Sequence, residues 1–257
     1  MTGMSDELRD LTGTTYERLR LRDTAFRWID LSGSRISHTG LRDVRLRGVE
    51  LEDVELDGEL RNVVINGVDV APLVEAELVR RDPDYATMKP QEADGFRVAW
   101  EILEQRWAET VQRARGLDEA LLHERVDGEW SFIETLRHLC YATDAWVNRV
   151  YLGDPDPWDP LDLPFDTLRD LAWAYDKDVR PTLGQVLALR ADRQSTVRRV
   201  FAGLTDAHLA GATTPVEGEG WPPPDRYPVT EALSIVVNEE WHHRRFAERD
   251  LAVLTSR

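Results

Sequence analysis

The chain has 257 residues, and 32 Lys+Arg against 48 Asp+Glu leave a net charge of −16 and a pI near 4.8. Such a charge repels phosphate and excludes a reader of the nucleic-acid backbone, while a single Cys excludes intramolecular disulfides and Cys-rich zinc modules. With 42% apolar residues, no run near the ~20 that a membrane span needs, and an acidic MTGMSDELRD start unlike a signal peptide, the sequence reads as a soluble, cytoplasmic protein of one large or two ordinary domains.

From the N-terminus, apolar residues fall on a strict five-residue step: Tyr16, Leu21, Phe26, Leu31, Ile36, Leu41, Leu46, Leu51 and Leu56. Five fits neither the helical nor the strand period. The positions two earlier carry Thr14, Thr24, Ile29, Ser34, Thr39, Val44, Val49 and Val54, and charged residues or Gly lie between. The run LRDVR-LRGVE-LEDVE resembles the pentapeptide-repeat family. That resemblance implies a right-handed, four-sided β-helix over residues 16–70, with little more than two coils, capped by Val63–Leu78 and open to a protein partner. The family favours Ala where this chain has Thr, Ser and Val, so widened coils are expected. An amphipathic β-hairpin region is the competing reading. Residues 16–60 hold ten acids and eight Arg, which is too near neutrality to imitate a duplex with one charge per ~1.7 Å.

Residues 71–90, with RDPDYATMKP at 81–90, read as a linker or cap from their Pro and Asp turn chemistry. Beyond it the period is helical. One helix is expected over 91–114, with Phe96, Ala99, Trp100, Leu103, Trp107, Thr110 and Val111 as its apolar stripe. A second runs from Ser131 to Val150 and opens with a Ser131/Glu134 capping box. A third covers 183–204, and a fourth 229–254 with Thr230 as N-cap. The connection 152–182 is expected to carry a short helix near Asp166–Asp176, and 211–228 is an irregular crossover. Four long amphipathic helices argue a four-helix bundle over 91–255. The whole is an α+β, multidomain chain.

The fourth helix carries the chemistry. Glu239 and His243 interrupt an apolar stripe at i and i+4, which turns both side chains to one spot, as in helical metal sites. On the second helix His138 lies on an inner shoulder with Thr135, Ala142 and Ala145. Together His138, Glu239 and His243 make a 2-His-1-carboxylate set suited to a divalent Zn, Ni or Fe ion, with positions left open for water or substrate.

The segments GEWSFIETLRHLCYATDAWVNRV (128–150) and NEEWHHRRFAERDL (238–251) resemble the DinB-like superfamily of metal-binding four-helix bundles, over about residues 88–255. The family pattern of three His places its first on His138 and its last on His243. The remaining ligand falls on Glu239, where the family usually has His. The resemblance implies use of a low-molecular-weight thiol as cosubstrate, in an S-transferase or isomerase acting on a small electrophile. A bound metal lowers a thiol's pKa, so the thiolate exists at neutral pH. No residue is assigned a catalytic role. The competing function is a non-catalytic interaction protein that works through the repeat stack, with a degenerate metal site, or a homodimeric scaffold.

Several residues carry alternatives. His242 competes with His243, and Glu240 with Glu239. Glu134 repeats the Glu-x-x-x-His spacing with His138 and invites a second metal, against its role in the capping box. Cys140 reads as a small core residue, and His38, His123 and His208 as solvent-facing. Trp100, Trp107, Trp146 and Trp241 read as core, and Trp158 and Trp221 as lining a pocket mouth. Arg244 and Arg245 are either a fork for a substrate carboxylate or ordinary paired surface arginines.

Overall fold

The four amphipathic stretches all fold as helices in a computed structural model, which describes residues 9–37, 39–165, 175–176, 178–218 and 220–256. The chain divides into two compact units, one ending at Glu59 and the other starting at Leu60.

In the first unit the five-residue step is written into the backbone. φ is positive at Gly13, Arg18, Asp23, Trp28, Gly33, Asp43, Gly48, Asp53 and Gly58. The expected right-handed β-helix over 16–70 is not seen. No strand occurs among the described residues 9–62, and the backbone hydrogen bonds described there are local turns at Leu11–Thr14 and Leu31–Ser34. The central column stays open, between 56% exposed at Leu21 and 70% at Leu56. A β-helix is held by ladder bonds between coils and by burial of that column. Two coils offer little more than one layer of such contact, and Thr, Ile, Ser and Val stand where a tight corner takes a small residue. The hairpin alternative also fails within the repeats. The one sheet among the described residues comes later, as β1 (Val64–Ile65) and β2 (Val68–Asp69), paired antiparallel as Val64 with Asp69 and Ile65 with Val68. Its turn is Asn66–Gly67, both at positive φ, the pair that a two-residue hairpin loop requires.

Residues 71–90 are more ordered than their turn chemistry suggests. Helix α1 (Ala71–Arg81) starts with Pro72 in its first turn and ends at Asp82, whose side chain then accepts from the Asp84 amide and opens a 3-10 turn, Pro83–Met88. Helix α2 (Ala93–Ala114) follows, then a short α3 (Glu119–Leu122). Helix α4 (Phe132–Thr143) widens into a π-helical stretch, Asp144–Tyr151. Helix α5 (Leu183–Gly203), a short α6 (Asp206–Leu209) and α7 (Val229–Thr255) complete the order. The N-cap of α7 is Pro228, not Thr230. The Thr230 hydroxyl instead donates to the Leu209 carbonyl, tying α7 to the end of α6. The helix expected near Asp166–Asp176 lies largely outside the described residues, as does His38.

In the bundle, α4 packs on α5 and α7, and α2 packs on α7 and α5. Phe96, Trp100, Val197, Phe201, Leu233 and Val237 fill one end of the core. Trp107, Phe132, Leu136, Leu139, Val186 and Leu251 fill the other. Trp100 and Phe96 both meet the Phe201 ring, at 5.7 and 5.3 Å between centroids. Burial of such aromatic faces, at ~1.5–3 kcal/mol per large side chain, holds α2 and α5 together.

Candidate metal centre

Two local rules place the centre. On α4 the capping box forms: the Ser131 side chain accepts from the Glu134 amide, and Glu134 reaches back to the Ser131 amide at 2.8 Å. His138 lies seven residues on, two turns from the cap, so it returns to the face that carries Trp130 just outside the helix. On α7, Glu239 and His243 stand one turn apart.

The three side chains meet. His243 Nε2 lies 3.0 Å from Glu239 Oε2, and His138 Nε2 lies 3.3 Å from the same oxygen. One ligand atom from each falls within 4.8 Å of the others. A tetrahedral ion with bonds of ~2.0–2.1 Å sets its ligands ~3.3–3.4 Å apart, so the two N···O spacings and the donor atom types suit a divalent cation. His138 is 1% exposed, while the His243 and Glu239 side chains are 19% and 28% exposed, so the set has one wet side.

His138 Nδ1–H donates to the Leu163 carbonyl at 2.9 Å. Burial lowers the pKa of His138, against the hydrogen bond and charge of Glu239, which raise it, and with the neighbouring His243, which adds to the lowering. Its Nε2 faces the Glu239 carboxylate oxygen. Burial resists the charge on Glu239 too, yet its hydrogen bonds with His138 and His243 outweigh that and hold the carboxyl well below the usual carboxylate range. Either a proton on His138 Nε2 or a metal ion between it and Glu239 satisfies their contact. A backbone carbonyl on the second ring nitrogen is also the support that metal-binding imidazoles use to fix tautomer and orientation.

Aromatic rings surround the imidazoles. Trp130 lies 4.3 Å from His138 between centroids and stacks on His243 at 5.7 Å. Phe165 meets His138 at 5.3 Å, and Phe246 meets His243 edge-on at 5.9 Å. Trp158 stacks on Tyr141, itself against His138, and Trp221 is 37% exposed.

The competing residues are occupied elsewhere. Glu240 is buried and takes a two-pronged bond from Arg190 at 2.9 and 3.1 Å, under the Trp107 ring. Glu134 is held by the cap and by Arg125, which removes the two-metal reading. Among the described residues His242 joins no such cluster, and its ring sits 6.5 Å from Phe246. Cys140 is buried, and burial pushes its thiol up. Arg244 is 9% exposed and bonds Thr110 Oγ1 at 2.9 Å, so it offers no fork to a substrate. His208 is exposed as expected, but His123 is half-buried at the end of α3. Trp100, Trp107 and Trp241 are core, and Trp146 packs on its edge. Sequence reasoning missed the parts played by Trp130, Phe165 and the Leu163 carbonyl. Only Trp130, directly before the helix cap, carried a readable signal.

A family profile, the DinB superfamily, matches residues 102–247, more than half of the chain. The chain belongs to the DinB superfamily. Comparison with curated proteins and with solved structures gives no match. The matched DinB region runs from within α2 to within α7 and contains all three side chains of the cluster. No described helix is long and apolar enough to cross a membrane.

Proposed function

We propose that this DinB-superfamily protein holds one divalent Zn, Ni or Fe ion on His138, Glu239 and His243 and transfers a low-molecular-weight thiol to a small electrophile, as an S-transferase or isomerase. The reading is carried by one observation: His138 Nε2 and His243 Nε2 converge on one Glu239 oxygen at 3.3 and 3.0 Å, while His138 Nδ1–H is committed to the Leu163 carbonyl. A divalent ion supplies the lowered thiol pKa that makes thiolate available at neutral pH. The chain does the rest. Glu239 sets the charge of the site, Leu163 fixes the His138 ring, and Trp130 and Phe246 hold His243 from two sides. With three protein ligands, coordination positions are left open on the wet side.

The test is a panel of thiols (mycothiol, bacillithiol, glutathione) with a chromogenic small electrophile, each metal supplied in turn. Metal-dependent conjugation that is lost in His243→Ala is expected. Metal uptake without turnover on any thiol would overturn the enzymatic part. The exposed column from Tyr16 to Leu56 favours a second reading, an interaction protein that self-associates through its first unit with a degenerate centre. Its mark is a solution mass above the monomer's that falls when residues 1–59 are removed, with no metal uptake.

A further inference from the structure

Arg137, next to the ligand His138 on α4, is 1% exposed. A guanidinium carries five donors in a planar fork, and burying it is costly unless acceptors meet them. Here the acceptors are backbone carbonyls from both ends of one connection. Nε donates to Leu161 O at 2.7 Å and Nη2 to Asp162 O at 3.5 Å. Nη2 also reaches Asp176 O at 2.6 Å, and Nη1 reaches Val179 O at 3.3 Å. The next carbonyl after Asp162 is that of Leu163, which takes the His138 proton. Consecutive side chains of α4 therefore grip consecutive carbonyls of one strap.

A second set of interactions engages the same strap through Asp162. The Asp162 side chain is 0% exposed and accepts from the Asp159 amide at 3.0 Å. It interacts electrostatically with the carboxyl of Asp144, itself 0% exposed and held by Arg193 at 2.8 and 3.0 Å. The Asp159 side chain accepts from the Leu161 amide at 2.9 Å and closes the turn.

We propose that Arg137 is a positioning residue for the metal centre, with Asp162 as its counterpart: they fix the 161–163 backbone so that the Leu163 carbonyl keeps His138 in the Nδ1–H form with Nε2 presented to Glu239 and His243. The inference rests on the metal reading above. Neither side chain touches the ion. They act on affinity by removing the choices a loosened imidazole has, which are the other tautomer and a rotated ring. Supports of this kind alter metal affinity by about 10- to 100-fold.

Arg149 supplies the control. It too is 1% exposed and bonds backbone carbonyls, Pro155 O at 2.8 Å, Gly218 O at 2.9 Å and Val216 O at 3.3 Å, on segments that give no ligand. The experiment uses the full chain with Co²⁺ as probe, read by its visible absorption, and the His138 tautomer in metal-free protein, read by ¹⁵N NMR. Arg137→Lys keeps the charge and loses the fork. It is expected to weaken Co²⁺ binding about tenfold or more and to mix the tautomers, while Arg149→Lys keeps both near wild type. A folded Arg137→Lys with wild-type affinity and tautomer overturns the proposal, as does equal weakening by both variants. If Arg137→Lys does not fold, Asp162→Ala carries the same expectation, and unchanged binding there overturns it. If wild type takes up no Co²⁺, the metal reading fails alone. The tautomer then decides the positioning role: Nδ1–H in wild type and lost in Arg137→Lys supports it, and no difference overturns it.

Discussion

Each unit carries a regular apolar period, five residues in the first and helical in the second, and the two differ in what the period achieves. On α2 the stripe Phe96, Ala99, Trp100, Leu103 and Trp107 is almost wholly buried, because α5 and α7 offer matching faces. In the first unit the nine-member column from Tyr16 to Leu56 repeats just as faithfully, yet every member is more than half exposed. A periodic sequence specifies the direction of side chains. Burial needs a second surface at the right distance, and only the bundle contains one among the described residues.

That contrast can be broken by mutation. Phe201→Ala removes the ring shared by Phe96 and Trp100 and is expected to cost ~3–5 kcal/mol in denaturant unfolding. Arg190→Ala leaves the buried Glu240 carboxylate without its partner and is expected to cost roughly 3–5 kcal/mol, with metal uptake by the folded protein retained, since Glu240 is not a ligand. The buried acids give a pH signature. Burial pushes Asp144 up to about 6 and Asp162 well above the carboxylate range. An acid raised in the folded state binds its proton more tightly there than in the unfolded chain. Its contribution is therefore complete below the unfolded value of ~3.9 and is lost as pH rises through the folded values. Unfolding free energy is expected to fall from mildly acidic to alkaline pH, and Asp162→Asn should flatten the slope. At the small end, Leu41→Ala in the exposed column is expected to shift stability by no more than ~0.5 kcal/mol. A cost near that of Phe201→Ala would show that the column is buried in solution by a partner surface.

Much of the bundle was legible in sequence. The four helices were expected at 91–114, 131–150, 183–204 and 229–254, and stand at Ala93–Ala114, Phe132–Tyr151, Leu183–Gly203 and Val229–Thr255. Helical period and the Ser131/Glu134 box are local signals, and local signals survive folding. The i, i+4 spacing of Glu239 and His243 was readable for the same reason. The support around them was not. Leu163 acts through its carbonyl, which every residue has, so nothing in its identity marks it. Arg137 grips four carbonyls across 42 residues of chain, and the Arg190–Glu240 pair spans 50. Such partners are set by helix packing and appear only with the fold. The repeat unit fails in the opposite sense. Its period was plain, but closure into coils depends on contacts that no single repeat contains.

The central claim is that His138, Glu239 and His243 hold a metal ion, and elemental mass spectrometry on tag-free protein tests it most directly, with His243→Ala alongside. The account predicts about one Zn, Ni or Fe per chain in the wild type and its loss in the variant. No metal in either protein, even after each ion is added, would contradict it.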